Sequence, residues 1–176
     1  MRRLPFLLLP LILAACGEEK PTLPAEQQAF CRTISEYRDR YRAATGDQNR
    51  LAGQQQLDSL VPAAKAAFAA AVPGGQIRAW RVTFTRAYET AERANVVVVF
   101  DLGCGARLKT DTKSITAADA LGRTIIGLKA GGETVLNGRL LPPDNNRLAF
   151  REWSMSLGGT FLDPEYGIAI ESVAQK

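Results

Sequence analysis

The sequence predicts an α+β protein in which N-terminal helices pack on a small antiparallel β-barrel. Three observations predict it. Between residues 25 and 75 the apolar side chains recur at intervals of three and four. From Gln76 onward the period drops to two. Turn signals at Gly103-Cys104-Gly105, Gly131-Gly132 and Pro142 to Asn146 then cut the second part into strand-length pieces.

Pro24 suits the first turn of a helix, because its missing N–H would have no partner there anyway. Phe30, Ile34, Tyr37 and Tyr41 share one face of that helix, opposite Arg32, Glu36, Asp39 and Arg40. The stripe reads as core. Gly46 is a natural C-terminal cap, within Thr45-Gly46-Asp47. Asp47 to Gln56 is polar and glutamine-rich and carries no clear period. Leu57, Leu60, Val61, Ala64 and Phe68 resume helical spacing. Pro62 favours a fresh start at Asp58 or Ser59, which puts the proline in the first turn. Alanines through Ala71 leave a smooth face for close packing, and Lys65 is too little charge for a membrane-surface helix. Pro73-Gly74-Gly75 stops the helix.

Trp80, Val82 and Phe84 alternate with Arg81, Thr83 and Thr85, the pattern of a half-buried strand. Arg78, Arg81 and Arg86 read as its solvated side. Val96 to Phe100 is a β-branched run and predicts a central strand. Ala106 to Thr110 is a third strand and Thr116 to Leu121 a short helix. Glu133 to Leu141, Leu148 to Leu157 and Tyr166 to Val173 supply three more strands, the last two connected by Gly158 to Glu165.

The chain opens MRRLPFLLLPLILAAC. Two arginines precede an apolar run that is too short for a span of about 20 residues. Small residues and a cysteine follow. Leu13-Ala14-Ala15-Cys16 resembles the lipobox of bacterial lipoprotein signal peptides. That resemblance implies cleavage between Ala15 and Cys16 and a diacylglycerol on the Cys16 thiol. Two or more acyl chains anchor a protein firmly where one does not. The plan is then a signal peptide over 1–15, a flexible tether over 16–24 with two prolines, a helical layer over 25–75 and a barrel part over 76–176. Cleavage removes Arg2 and Arg3, so the formal charge of +4 falls to about +2. Gly17 rather than aspartate follows the cysteine, which in enterobacterial sorting leans towards the outer membrane. The expected location is the bacterial cell envelope, facing the periplasm. The expected partners are the membrane, through lipid on Cys16, and an envelope protein, with no nucleic acid.

With Cys16 acylated, Cys31 and Cys104 remain. Two thiols in an oxidising compartment read as one disulfide. It would close a loop of about 70 residues and tie the helical layer to the β part. A reactive Cys104 between its two glycines is the competing reading. The chain has no histidine to activate a thiol and no C-x-x-C.

The order strand, strand, strand, short helix, strand, strand is that of a small OB-like barrel. Leu128 to Val135 with Gly138 (LKAGGETVLNG) resembles the leucine, glycine, acidic, valine, glycine strand of OB-fold proteins. Glu152, Ser154, Gly159, Asp163-Pro164-Glu165 and Tyr166 are similar to the close of tRNA-anti-like domains in exported bacterial proteins. The resemblance implies a fold and no activity.

Without histidine the Ser-His and Cys-His triads are excluded. There is no P-loop, no S-x-x-K and no G-x-S-x-G. Asp144-Asn145-Asn146 is too short for a calcium loop, and neither cofactor nor metal is expected. Nucleic-acid binding would need exposed aromatics beside arginines, a part that Trp80 and Phe84 could imitate. The sequence points to a non-enzymatic binding or interaction module. Two alternatives stand beside it. One is a small-molecule or glycan carrier with a cavity between helices and barrel. The other is an envelope hydrolase using Asp163 and Glu165 as its carboxylate pair.

Overall fold

The computed structural model describes residues 22–46, 50–90, 94–144 and 148–175. Cys16, with Leu13, Ala14 and Ala15, lies outside them. Among the described residues the chain is α+β, with four helices and a five-stranded mixed sheet whose strands close into a ring. Helix α1 (Ala25–Gly46) buries Phe30, Ile34 and Tyr37, as the spacing predicts, and half-buries Tyr41. Helix α2 (Arg50–Ala71) packs antiparallel beside it through Leu60, Ala64 and Phe68. The predicted restart at Asp58 or Ser59 is a correction. The helix runs through Pro62 from Arg50. Pro62 is exposed, and the residues flanking it are held against α1, so packing outweighs the local penalty of about 3 kcal/mol.

Pro73–Gly75 form one 3₁₀ turn, with Gly74 and Gly75 at positive φ. Strand β1 (Gln76–Thr90) follows, then β2 (Asn95–Asp101) and β3 (Arg107–Thr110). Helix α3 (Ala120–Ile126) starts four residues after the predicted Thr116. Thr116 is engaged elsewhere: it bridges to Asn95, and its N–H donates to Asp119 Oδ2. Strand β4 (Glu133–Leu140), helix α4 (Leu157–Leu162) and strand β5 (Glu165–Gln175) complete the chain.

The ring order is β1-β2-β3-β5-β4, closing back on β1. All neighbours are antiparallel except β3 and β5, which run parallel, Arg107 opposite Glu165 and Thr110 opposite Ile168. The expected all-antiparallel sheet is corrected by that pair. It follows from the long connection between the two strands, which contains α3, β4 and α4; parallel neighbours need such a crossover.

Leu148 to Leu157 is a second correction. It is no strand: Glu152 makes one bridge to Tyr166, and Leu157 already opens α4. The alternation that suggested a strand comes from Leu148 and Phe150, which drop into the core from irregular backbone. The glycine pair Gly158-Gly159 concealed α4, whose N-cap Ser156 accepts a bond from the Gly159 N–H at 3.1 Å.

The two helical parts seal the ring. The start of β1, the end of β2, the start of β3 and β5 and the end of β4 all lie at one mouth, which α1 and α2 cover. Ile125 of α3, wholly buried, faces the core from the other. Within the first mouth Phe30 meets Phe68, Trp80, Phe150 and Tyr166 at ring distances of 5.2, 5.4, 6.4 and 5.0 Å. Aromatic side chains thus fill the mouth under α1, and a surface groove of about 400 Å³ lies beside the end of α2, lined by Val72, Leu140 and Phe150. Gly138 allows β4 to approach β5 at a bulge, where a Cβ would run into the Ala169 carbonyl oxygen.

Cys31 and Cys104 stand at disulfide distance, with Cα atoms 5.7 Å apart, inside the window for an unforced bridge. The residue that holds the cluster, Phe30, is the one before Cys31. Removing its ring by Phe30→Ala should lower stability by about 3–5 kcal/mol in chemical denaturation. The double variant Cys31→Ser, Cys104→Ser should lose up to about 4 kcal/mol. Equal midpoints for either variant and the parent would contradict this packing.

Candidate functional site

Outward-facing residues of β2, β3 and β5 and the strip 151–153 form one continuous face. Pairing places Val99, Lys109, Gly167 and Arg151 in one row across it. Asp101, Arg107, Glu165 and Trp153 form the next row. The side-chain period of two along each strand is what gathers these residues, distant in sequence, on one side.

The face is an ion-pair network around one indole. Lys109 Nζ lies 3.0 Å from Glu165 Oε1. Arg107 Nη2 lies 2.7 Å from Asp163 Oδ2, and its Nε lies 3.7 Å from Glu165. Arg151 reaches Asp111 at 3.1 Å and Asp144 at 3.6 Å. The Trp153 ring has Lys109 at 5.8 Å and the Arg151 guanidinium at 5.6 Å from its centre, within cation–π range. A shallow groove of about 300 Å³ runs past Trp153, Met155, Arg107 and Asp163. Met155 is fully exposed at its rim.

Beneath this face, Glu152 staples the connection before β5. Its carboxylate accepts from the Ser154 N–H at 2.9 Å, the Thr160 hydroxyl at 2.8 Å and the Glu165 N–H at 3.4 Å. The Tyr166 phenol is buried with no hydrogen-bond partner. Burial pushes it well above its ordinary value near 10, the Glu152 charge adds to the rise, and Arg38 opposes it. Arg38 crosses from α1 and donates to the carbonyls of Cys104 and Gly105, at 3.2 and 2.8 Å.

Asp163 and Glu165, the carboxylates considered for hydrolysis, come together here. Both turn to the same Arg107, and Glu165 also takes Lys109. The geometry is that of a structural salt-bridge cluster. Trp80 and Phe84 are 0% and 5% exposed, so neither offers a face for a base to stack on. Their alternation belongs to the core. Arg81 pairs with Glu133 across β1 and β4. Among the described residues no group of His, Cys, Asp and Glu is arranged to hold a metal ion.

Sequence reasoning missed Gln27, which is wholly buried. Its side-chain amide donates to the Arg81 carbonyl at 2.6 Å and accepts from the Arg81 N–H at 2.9 Å. It thereby supplies both partners that β2 does not provide at that point of β1. A signal existed: Gln27 lies three residues before Phe30 on the apolar face, a polar residue in a buried stripe. Trp153 and Lys109 were missed because their meeting depends on the parallel β3–β5 pair.

No protein family, no curated protein and no solved structure matches this chain.

The buried phenol gives a test in alkali. Its folded pKa is raised, so the folded chain holds this proton where the unfolded chain has lost it. Stability is then fully present below about pH 10, the value in the unfolded chain, and falls as pH rises above it. Unfolding followed in urea from pH 9 to 11 should show this decline in the parent and a shallower one in Tyr166→Phe. Identical slopes would remove Tyr166 from the explanation.

Proposed function

We propose that this chain is a lipid-anchored protein of the bacterial cell envelope, and that its domain is a non-enzymatic interaction module on an OB-like barrel. The observation that carries the binding reading is the sealed ring. Phe30, Phe68, Trp80 and Tyr166 fill one mouth, and Ile125 of α3 closes on the core from the other, leaving the chemistry on the outer face. Such a domain works by surface contact.

The OB-like reading is supported by the strand order β1-β2-β3-β5-β4, by the parallel β3–β5 pair and by α3 lying between β3 and β4. The anchor reading is supported by Leu13-Ala14-Ala15-Cys16 behind an apolar run and two arginines. The Cys31–Cys104 pair at disulfide distance agrees with an oxidising compartment. No helix among the described residues is long and apolar enough to cross a membrane, so attachment in this reading rests on Cys16. By resemblance to enterobacterial sorting, Gly17 favours the outer membrane.

Intact mass of the protein from bacterial membranes tests the anchor. The expected species starts at Cys16 and carries diacylglycerol and a further acyl chain. Cys16→Ala should abolish both acylation and cleavage before residue 16, so the chain keeps its N-terminal segment. An uncleaved, unacylated parent chain would contradict the reading.

A further inference from the structure

Strand β1 is longer than either strand that flanks it, β4 on one side and β2 on the other. Its ladder to β4 ends at Thr83 opposite Glu133, with two last bonds between Phe84 and Gly131-Gly132. The chain of β4 then departs towards α3. On the other side β1 continues beside β2, from Arg86 opposite Val99 to Thr90 opposite Asn95. Residues 86–90 are therefore paired on one side only, and no described backbone group bonds to theirs on the other. A free strand edge of this kind is a template for another extended chain.

The edge opens into a groove. It has a volume of about 370 Å³ and is lined by every residue of β1 from Phe84 to Glu89. Both faces of the strand and its edge thus border the same space. The opposite wall is Ile126, Leu128 and Ala130, from the connection between α3 and β4. Tyr88 and Ile126 are 43% and 50% exposed across the opening.

We propose that this groove binds an extended peptide segment of a partner protein, which adds to β1 as an antiparallel strand end to end with β4. Three features select that occupant. The site continues the β1–β4 ladder, so main-chain bonds of the same kind can extend it. Ile126, Leu128 and Ala130 bound the space beside the edge, so it suits a slender extended chain. Arg86 and Glu89 have no ion-pair partner among the described residues, and both line the groove. An antiparallel strand would meet them with an acidic residue opposite Arg86 and a basic one opposite Glu89, around an apolar centre between Tyr88 and Ile126. This deepens the reading of the domain as an interaction module and rests on it for the kind of partner. It does not depend on lipid at Cys16.

The probe is the synthetic peptide acetyl-Ser-Thr-Lys-Val-Ile-Glu-Thr-amide, added to the full chain in detergent. Amide hydrogen exchange at residues 86–90 should slow on saturation. Ile126→Glu, at a half-exposed position, should weaken binding at least about tenfold, a change of about 1.4 kcal/mol. Arg86→Glu should weaken it likewise and should prefer a second peptide in which lysine replaces the glutamate. Exchange unchanged at millimolar peptide, or equal affinity in Ile126→Glu, would overturn the proposal. Slowing that grows with protein concentration and without peptide would overturn it in favour of a second copy. Acylation of Cys16 is read by mass in the same samples, so failure of the anchor reading is seen separately.

Discussion

The ring of Phe30 is the contact on which the rest of the structure depends. It touches one aromatic residue from each of four segments: Phe68 of α2, Trp80 of β1, Phe150 of the connection after β4, and Tyr166 of β5. One turn earlier on α1, Gln27 completes the hydrogen bonding of β1. One residue later, Cys31 faces Cys104 across the mouth of the ring. A single stretch of helix thus carries apolar burial, backbone satisfaction and the cross-link. The helices belong to the core of the ring and are more than an appendage to it. Apolar area removed from water is the main term, since each buried aromatic side chain accounts for some kcal/mol.

That arrangement fills the interior of the ring. A five-stranded ring has room for side chains and little else, and here the side chains fill it. On the exterior, Trp153 lies between Lys109 and Arg151, each of which is itself paired to a carboxylate. These ion pairs are partly shielded from water and link β3, β5 and the strip 151–153. The outer edge of β1 at residues 86–90 adds a second kind of exterior feature, a strand edge with no described strand beside it, next to a groove walled by Ile126 and Leu128.

Periodicity in the sequence revealed the elements that bury one face. The stripe of Phe30, Ile34 and Tyr37, the alternation of Trp80, Val82 and Phe84, and the run from Val96 to Phe100 are all found where their spacing puts them. Local rules misled wherever tertiary contacts outweighed them. Pro62 suggested a helix start, yet packing carries α2 through it. Gly158 and Gly159 suggested a loop, yet a Ser156 cap opens a helix there. Leu148 and Phe150 alternate because both reach the core, and the segment's one bridge, from Glu152 to Tyr166, lies beyond them. The outer face was the least legible part. Asp163 and Glu165 were visible as a pair, but Arg107 and Lys109 join them only through the parallel register of β3 and β5. The signal for Gln27 was present and is simple in hindsight: a polar residue inside an apolar stripe needs a partner.

The central claim is that helices and ring form one cooperative core through Phe30. Native-state hydrogen exchange resolved by residue tests it most directly. The claim predicts that amides around Phe30 in α1, Trp80 in β1 and Tyr166 in β5 open only with global unfolding, at one shared free energy. Exchange of α1 at a distinctly lower free energy, with the strands still protected, would contradict it.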